Sequence, residues 1–251
     1  MTVFLHIGDS RTGTTSFQSL LSANRERLWE MGIDYPPVGL LSNGRGVAQH
    51  LLSFSILETW PDFALRAKIS RDDAWGSLTE HLRKTQEDGK LLLLSSEAFS
   101  SAKRDGIEFV KKYFEGHTVV PIFVHRDPVE WRRSMREHNI ARGVAVQELT
   151  KYATSTGPQH DLGLKKLNRW QEFFDVKVFE YGPMCHAEIL SFVGTDIEEL
   201  EAVETRNQQP DKAVTKLLNR LNKIEMKPEN RKRFNEVILK WARNHPRKRR
   251  K

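Results

Sequence analysis

Thr2-Val-Phe-Leu-His-Ile-Gly-Asp-Ser-Arg-Thr-Gly-Thr-Thr-Ser16 is the stretch from which the rest of the chain is read. Thr2–Ile7 has the apolar character of a buried first strand. It runs directly into Gly8 and Gly13. From Thr14 onward, Phe17, Leu20, Leu21 and Leu28 recur on one helical face, which predicts a helix to about Met31. A strand that turns through glycines into a helix aims free backbone N–H groups at one point, and the helix N-terminus adds partial positive charge there. Gly8 and Gly13 permit the tight turn and the close approach of an anion. Thr14, Thr15 and Ser16 offer hydroxyls to phosphate oxygens. The competing reading is a Gly/Thr turn that merely starts a helix. The strand on one side and the helix on the other favour the phosphate loop.

Outward from this loop, short apolar runs alternate with helical patterns. Leu91–Ser95 suits a strand buried on both faces, and Thr118–Val124 and Val176–Tyr181 are two more. Helices are predicted over Asp72–Glu87, Asp105–Phe114, Val129–Ile140 and Gly163–Phe174. Two further amphipathic helices follow, one carrying Val214, Leu217, Leu218, Leu221 and Ile224, the other Phe234, Val237, Ile238 and Trp241. Strands alternating with helices predict an α/β fold: a single domain over residues 1–245 with a mostly parallel sheet flanked by helices, then a basic tail at 246–251. Segment 33–62 is less regular and is expected to cover the sheet edge where ligands of open α/β sheets bind.

Composition narrows the classes. A hydrophobic fraction of 38% supports a packed core and excludes a disordered chain. No apolar run is long enough to cross a bilayer. Met1–Ile7 lacks the basic region and cleavage site of a signal peptide. The single cysteine, Cys185, excludes an internal disulfide and fits a cytoplasmic setting. The net charge of +7 hides an asymmetry: residues 212–251 hold 15 Lys and Arg against 3 Glu, a local +12, so the remainder is −5. The run Pro246-Arg-Lys-Arg-Arg-Lys251 could attract nucleic acid, anionic lipid or a polyanionic substrate, which would make the protein membrane-peripheral in the second case. The plainer alternative is a solvated, frayed tail.

The loop spacing is G-x-x-x-x-G-T-T, a P-loop with Thr14 where ATP and GTP enzymes carry Lys. The basic residue is instead Arg11, inside the loop. That weighs against a kinase and toward a loop gripping a 5′-phosphate that carries another transferable group. The segment resembles the 5′-phosphosulfate-binding loop of the bacterial and carbohydrate-type sulfotransferases that use 3′-phosphoadenosine 5′-phosphosulfate (PAPS), commonly H-I-G-x-x-K-T-G-T-T-S. Arg11 stands where Lys is usual, keeping the charge but not the ammonium geometry. The resemblance implies that Arg11, Thr12, Gly13, Thr14, Thr15 and Ser16 hold the 5′ end of the donor, with Arg11 neutralising the bridging oxygen as sulfate leaves.

A second segment, Val119-Val-Pro-Ile-Phe-Val-His-Arg-Asp-Pro128, reads as a strand and then a turn, with Pro128 suited to the first turn of the next helix. Ser134 follows Arg126 by eight residues, about two helical turns beyond it. In isolation, Arg-Asp at a turn is an ordinary local ion pair. Together with the first loop it resembles the family's 3′-phosphate motif, R-D-P followed by Ser, which implies Arg126 and Ser134 on the 3′-phosphate of PAPS. Arg206-Asn-Gln-Gln-Pro210 and Phe179-Glu-Tyr181 are weaker matches. The resemblance spans roughly residues 2–225.

Sulfuryl transfer needs a group to take the acceptor's proton and positive charge beside the leaving phosphate. It requires no metal, and no compact metal-ligand spacing is visible. Glu97 lies just past the strand Leu91–Ser95, on the ligand edge of a parallel sheet, and is the first candidate base. Its structural alternative is to cap the following turn or pair with an Arg. His50, in Val47-Ala-Gln-His-Leu-Leu52, is the second candidate, although a lone His beside leucines is more often structural. His6 is expected to shape the site, and His125 to point to the strand face opposite Arg126. The expected activity is transfer of a sulfuryl group from PAPS to a hydroxyl or amine, leaving adenosine 3′,5′-bisphosphate. The resemblance implies a glycan or glycolipid acceptor. The alternatives are a P-loop small-molecule kinase, a family member that binds nucleotide without turnover, and a nucleic-acid-binding protein using the basic C-terminus. Against the last, Phe234 and Trp241 fall on the apolar helix stripe and not among exposed basic residues.

Overall fold

The computed structural model describes residues 1–41, 46–60, 69–143, 162–203, 212–224 and 226–244. Five strands occur among them: β1 (Thr2–His6), β2 (Ile33–Asp34), β3 (Leu91–Ser95), β4 (Thr118–His125) and β5 (Lys177–Glu180). The helices, in chain order, are α1 (Thr14–Ala23), α2 (Arg25–Glu30), α3 (His50–Ser55), α4 (Arg71–Glu87), α5 (Arg104–Tyr113), α6 (Pro128–Ala141), α7 (Leu162–Gln171), α8 (Cys185–Val193), α9 (Lys212–Leu221) and α10 (Pro228–Asn244). The chain divides into two compact units, Met1–Arg126 with Asp161–Thr205, and Asp127–His160 with Arg206–Lys251.

The first unit is α/β: an all-parallel sheet of order β2-β3-β1-β4-β5, flanked by helices. The central strand β1 is apolar on both faces because both faces are covered. Val3, Leu5 and Ile7 pack with Leu92, Leu94 and Phe123 against Trp75 and Leu78 of α4, Ile107 and Val110 of α5, and Leu167 and Trp170 of α7. On the opposite face, Phe4, Leu93, Ile122 and Val124 meet Phe17 and Leu21 of α1, Leu28 of α2, and Ile189, Leu190 and Val193 of α8. Trp75 anchors the first face. It is ringed by Phe109, Tyr113 and Phe114 at centroid distances of 4.8–5.9 Å. Its Nε1 donates to Ser55 Oγ (3.0 Å), so its one polar atom is satisfied on burial.

This topology fixes where a ligand edge lies. The helix that follows β1 covers one face, and α5, which follows β3, covers the other. The carboxyl ends of these adjacent strands therefore flank a switch point, where open α/β sheets bind ligands. The register sets His6 beside Ser95 and Ile122 there.

Several expectations change. The helix expected from Thr14 to Met31 is broken at Asn24. Its Nδ2 donates to the carbonyls of Leu20 (2.9 Å) and Glu201 (3.1 Å), and its Oδ1 accepts from the Glu201 N–H (2.7 Å). An Asn that bonds to backbone in this way competes with helix continuation. Segment 33–62 supplies β2 and α3. Gln49, just before α3, binds the backbone N–H and C=O of Ser95 (2.8 and 3.1 Å), which seats the segment at the carboxyl end of β3.

In the second unit, Asp127 caps α6 by accepting from the Val129 and Glu130 N–H groups (both 2.9 Å), with Pro128 at the first helical position. The Ile140 carbonyl closing α6 accepts from Asn222 Nδ2 (2.8 Å) and Asn235 Nδ2 (3.0 Å), and Asn235 also donates to Asn222 Oδ1 (3.0 Å). Buried Asn235 thereby fixes the rotation of α10 about its axis. That rotation corrects a sequence expectation. Phe234, Val237 and Trp241 form an apolar stripe, but they are 44%, 66% and 60% exposed. The face carrying Asn235 is the one turned inward.

Candidate functional site

The loop between β1 and α1 has the backbone an anion site needs. Gly13, at φ 81°, precedes α1 with no side-chain cap, and the first turn of α1, Thr14-Thr15-Ser16, holds no acid. The early N–H groups and the dipole of α1 are thus available to an anion. A Cβ on Gly13 would come within 3.0 Å of His186 Nε2, and one on Gly8 within 2.8 Å of Thr14 Cγ2. Both positions also have positive φ, so glycine is demanded twice over.

Arg11 is the sole described non-glycine residue at positive φ (67°), a conformation that costs roughly 1–2 kcal/mol. The carbonyl so presented accepts from Arg126 Nη1 at 2.6 Å. The guanidinium of Arg126 also lies over the Tyr181 ring, 4.2 Å from its centroid. Two motifs 115 residues apart therefore meet: the Arg ending the second segment holds the backbone of the first. His125 instead pairs with Glu180 (3.1 Å), its register partner on β5.

Asp9 is the one acid inside the loop. Its carboxylate is buried, accepts from the Ser10 N–H (2.7 Å), and is neutralised by Lys166 Nζ of α7 (2.7 Å). Thr12 donates its hydroxyl to the Asp9 carbonyl (2.6 Å), which fastens the turn. Lys166 thus removes the charge that would otherwise repel a bound anion.

Each base candidate enters a hydrogen-bond network at the carboxyl end of β3. Glu97 opens a short 3₁₀ turn after β3, and its Oε2 accepts from Gln18 Nε2 of α1 (3.0 Å). The same amide reaches Ser95 Oγ (3.3 Å), which bonds His6 Nδ1 (2.7 Å). His50 Nδ1 bonds Ser96 Oγ (2.8 Å), which also meets Ser53 Oγ (2.7 Å), and the imidazole stacks on Phe54 (5.3 Å between centroids). The turn is capped by Ser96, not by Glu97. Among the described residues, the side chain that bonds Glu97 is the neutral Gln18 amide, which orients the carboxyl group.

His6 is buried and its pKa falls to about 3, mainly through burial and then through nearby His186. His186 lies against Phe17 (5.2 Å) and the loop at Gly13, and burial lowers its pKa as well. Both imidazoles are neutral at pH 7 and act as walls of the loop. Burial pushes the Cys185 thiol up to about 11, so this buried cysteine is not a thiolate nucleophile.

Gln18, Lys166, Tyr181 and His186 complete the site. Of these, the sequence singles out only Tyr181, within the weak match Phe179-Glu-Tyr181. Ser134 belongs to the second unit, buried on α6. Arg206–Pro210 lies outside the described residues. Among the described residues no group of three His, Cys, Asp or Glu side chains could hold a metal ion, and no helix is long and apolar enough to cross a membrane. No protein-family model matches the chain, and neither does any curated protein.

Proposed function

We propose that the protein is a PAPS-dependent sulfotransferase acting on a hydroxyl or amine of a carbohydrate-like acceptor. The observation that carries this reading is the hydrogen bond from Arg126 Nη1 to the Arg11 carbonyl. It joins an uncapped helix N-terminus, suited to a 5′-phosphate, to an Arg assigned by its motif to the 3′-phosphate. A nucleotide phosphorylated at both ends needs such a pair.

In this reading the residues from Arg11 to Ser16 bind the 5′ end through N–H groups and hydroxyls. Arg126 takes the 3′-phosphate. Glu97 is the base. The acceptor oxygen bonds to sulfur while the bond from sulfur to the phosphate oxygen breaks. That electron pair leaves on the phosphate, and the acceptor's proton passes to the Glu97 carboxylate. Positive charge at Arg11 and the α1 dipole offset the charge gathering on the leaving phosphate. Gln18 positions Glu97, and His50 is the alternative base. A cytoplasmic setting and a nucleotide donor as partner belong to the same proposal.

Calorimetric titration with adenosine 3′,5′-bisphosphate, against AMP and ATP, tests the donor site. Preferential binding of the bisphosphate is expected. Equal affinity for AMP, or a preference for ATP, overturns the assignment, and the second result restores the kinase reading.

A further inference from the structure

We propose that Lys166 of α7 is the cation that holds the donor's 5′-phosphate in the loop, an inference that rests on the donor-site reading above. Thr14 stands where a P-loop carries Lys, so the first turn of α1 brings no ammonium to the anion. An ammonium reaches the loop from elsewhere. Lys166 Nζ donates to Asp9 Oδ1 at 2.7 Å, across 157 residues of sequence. The Asp9 side chain is 6% exposed and that of Lys166 19%, so the pair is anchored inside while the cation keeps an open side. An ammonium has three N–H donors. Among the described residues Asp9 takes one of them, and no other acceptor is bonded to Lys166.

A buried carboxylate inside an anion-binding loop opposes the ligand unless a cation offsets it. Stability alone does not call for the pair, because apolar groups of similar volume in place of a buried ion pair are often no less stable. Asp9 is nevertheless fixed from two sides: Oδ1 also accepts from the Ser10 N–H (2.7 Å), and its carbonyl accepts from the Thr12 hydroxyl (2.6 Å). The carboxylate is thus a rigid rest for the ammonium at the point where the loop leaves β1. The helix gives no reason of its own for the cation. Leu162–Gln171 contains no acid, and a cation near a helix N-terminus gains nothing from the dipole. In the donor complex Lys166 stays protonated, keeps its bond to Asp9, and directs a second N–H to a non-bridging oxygen of the 5′-phosphate. No proton leaves it. Its charge adds to that of the loop as the phosphate departs from sulfur.

The test is calorimetric titration of the full chain with adenosine 3′,5′-bisphosphate, AMP, adenosine 3′-monophosphate and ATP. The variants are Lys166→Met, Lys166→Arg and the double variant Asp9→Asn/Lys166→Met, which leaves no buried charge unpaired. Circular dichroism and melting temperature check each fold. Lys166→Met should lose roughly ten- to a hundredfold in affinity for the bisphosphate and for AMP alike, since both carry a 5′-phosphate. Affinity for the 3′-monophosphate, which lacks one, should not change. The double variant should bind as weakly as Lys166→Met, and Lys166→Arg should recover part of the loss because the charge is kept. The proposal is overturned by a Lys166→Met variant that binds AMP like the parent, or that loses the 3′-monophosphate as severely as AMP. A double variant that regains the parent's affinity also overturns it, because the pair then serves only the fold. All three results leave the donor-site reading standing. A parent that prefers ATP, and loses it in Lys166→Met and in the double variant, overturns the donor reading and keeps Lys166 as the loop's cation. A parent that binds none of the four nucleotides overturns both.

Discussion

Replacing Arg126 separates two roles that one side chain holds at once. In the folded chain its guanidinium donates to the Arg11 carbonyl at 2.6 Å and lies 4.2 Å over Tyr181. A hydrogen bond to a charged group contributes about 1.5–3 kcal/mol, and a cation–π contact about 0.5–1. Arg126→Ala should therefore cost roughly 2–4 kcal/mol of loop order. A 3′-phosphate adds a further charge-assisted bond of about 1.5–3 kcal/mol, or between tenfold and somewhat over a hundredfold in affinity. Titration calorimetry of the parent, Arg126→Ala and Tyr181→Leu with adenosine 3′,5′-bisphosphate and with AMP isolates that second part. The Ala variant should lose bisphosphate affinity by about that factor beyond whatever it loses for AMP. Tyr181→Leu, which removes only the stacking, should weaken both nucleotides alike by about two- to fivefold. If Arg126→Ala weakens the two nucleotides equally, the residue holds the loop and does not read the 3′-phosphate.

Three more outcomes are expected. Glu97→Gln should preserve bisphosphate binding and abolish turnover, while Gln18→Leu should lower kcat roughly tenfold or more with donor affinity retained. Unchanged turnover in Glu97→Gln would transfer the base role to His50. Gly13→Ala places a Cβ 3.0 Å from His186 Nε2 at φ 81°, and should cost about 1–3 kcal/mol in urea unfolding together with most nucleotide affinity; a variant as stable and as tight-binding as the parent would refute the demand for glycine. The folded pKa of His6, about 3, lies below its unfolded value, so the unfolded chain takes up the proton first as pH falls. Stability from this group is complete above about pH 6.5 and declines by up to about 1.4 kcal/mol per pH unit down to about 3. Urea unfolding at pH 7 and pH 5 should show a smaller decline in His6→Gln than in the parent, a comparison that cancels the shared contribution of buried Asp34; identical declines would contradict a neutral buried His6.

The parts of this architecture that were legible in sequence are those with a local physical cause. β1, β3 and β4 announce themselves because a strand covered on both faces must be apolar throughout. The loop is legible because its glycines, hydroxyls and flanking elements lie within fifteen residues. β2 has two residues, too few for any period, and α8 is a short helix of nine residues, Cys185–Val193. Gln18 and Lys166 were hidden for another reason. Each has meaning only through a carboxylate far along the chain, Glu97 or Asp9, which no window contains. The stripe of α10 shows the converse error. Periodicity identified an apolar face correctly, but it does not say whether anything covers that face, and here a buried Asn235 chose the opposite one.

The central position of β1 has a consequence for how the chain reaches its folded state. Val3 pairs with Leu92 and Val119, so β1 is synthesised 89 residues before one neighbour and 116 before the other. At about 5–20 residues per second, the wait for β3 alone is on the order of 5–20 s. During that interval Val3, Phe4 and Leu5 have neither ladder partner nor covering helix from the later chain. A sheet that assembles outward from its earliest strand commits late and through distant contacts, which slows folding and leaves a sticky segment in need of shelter. The strand that presents the phosphate loop is thus the one most dependent on help during synthesis.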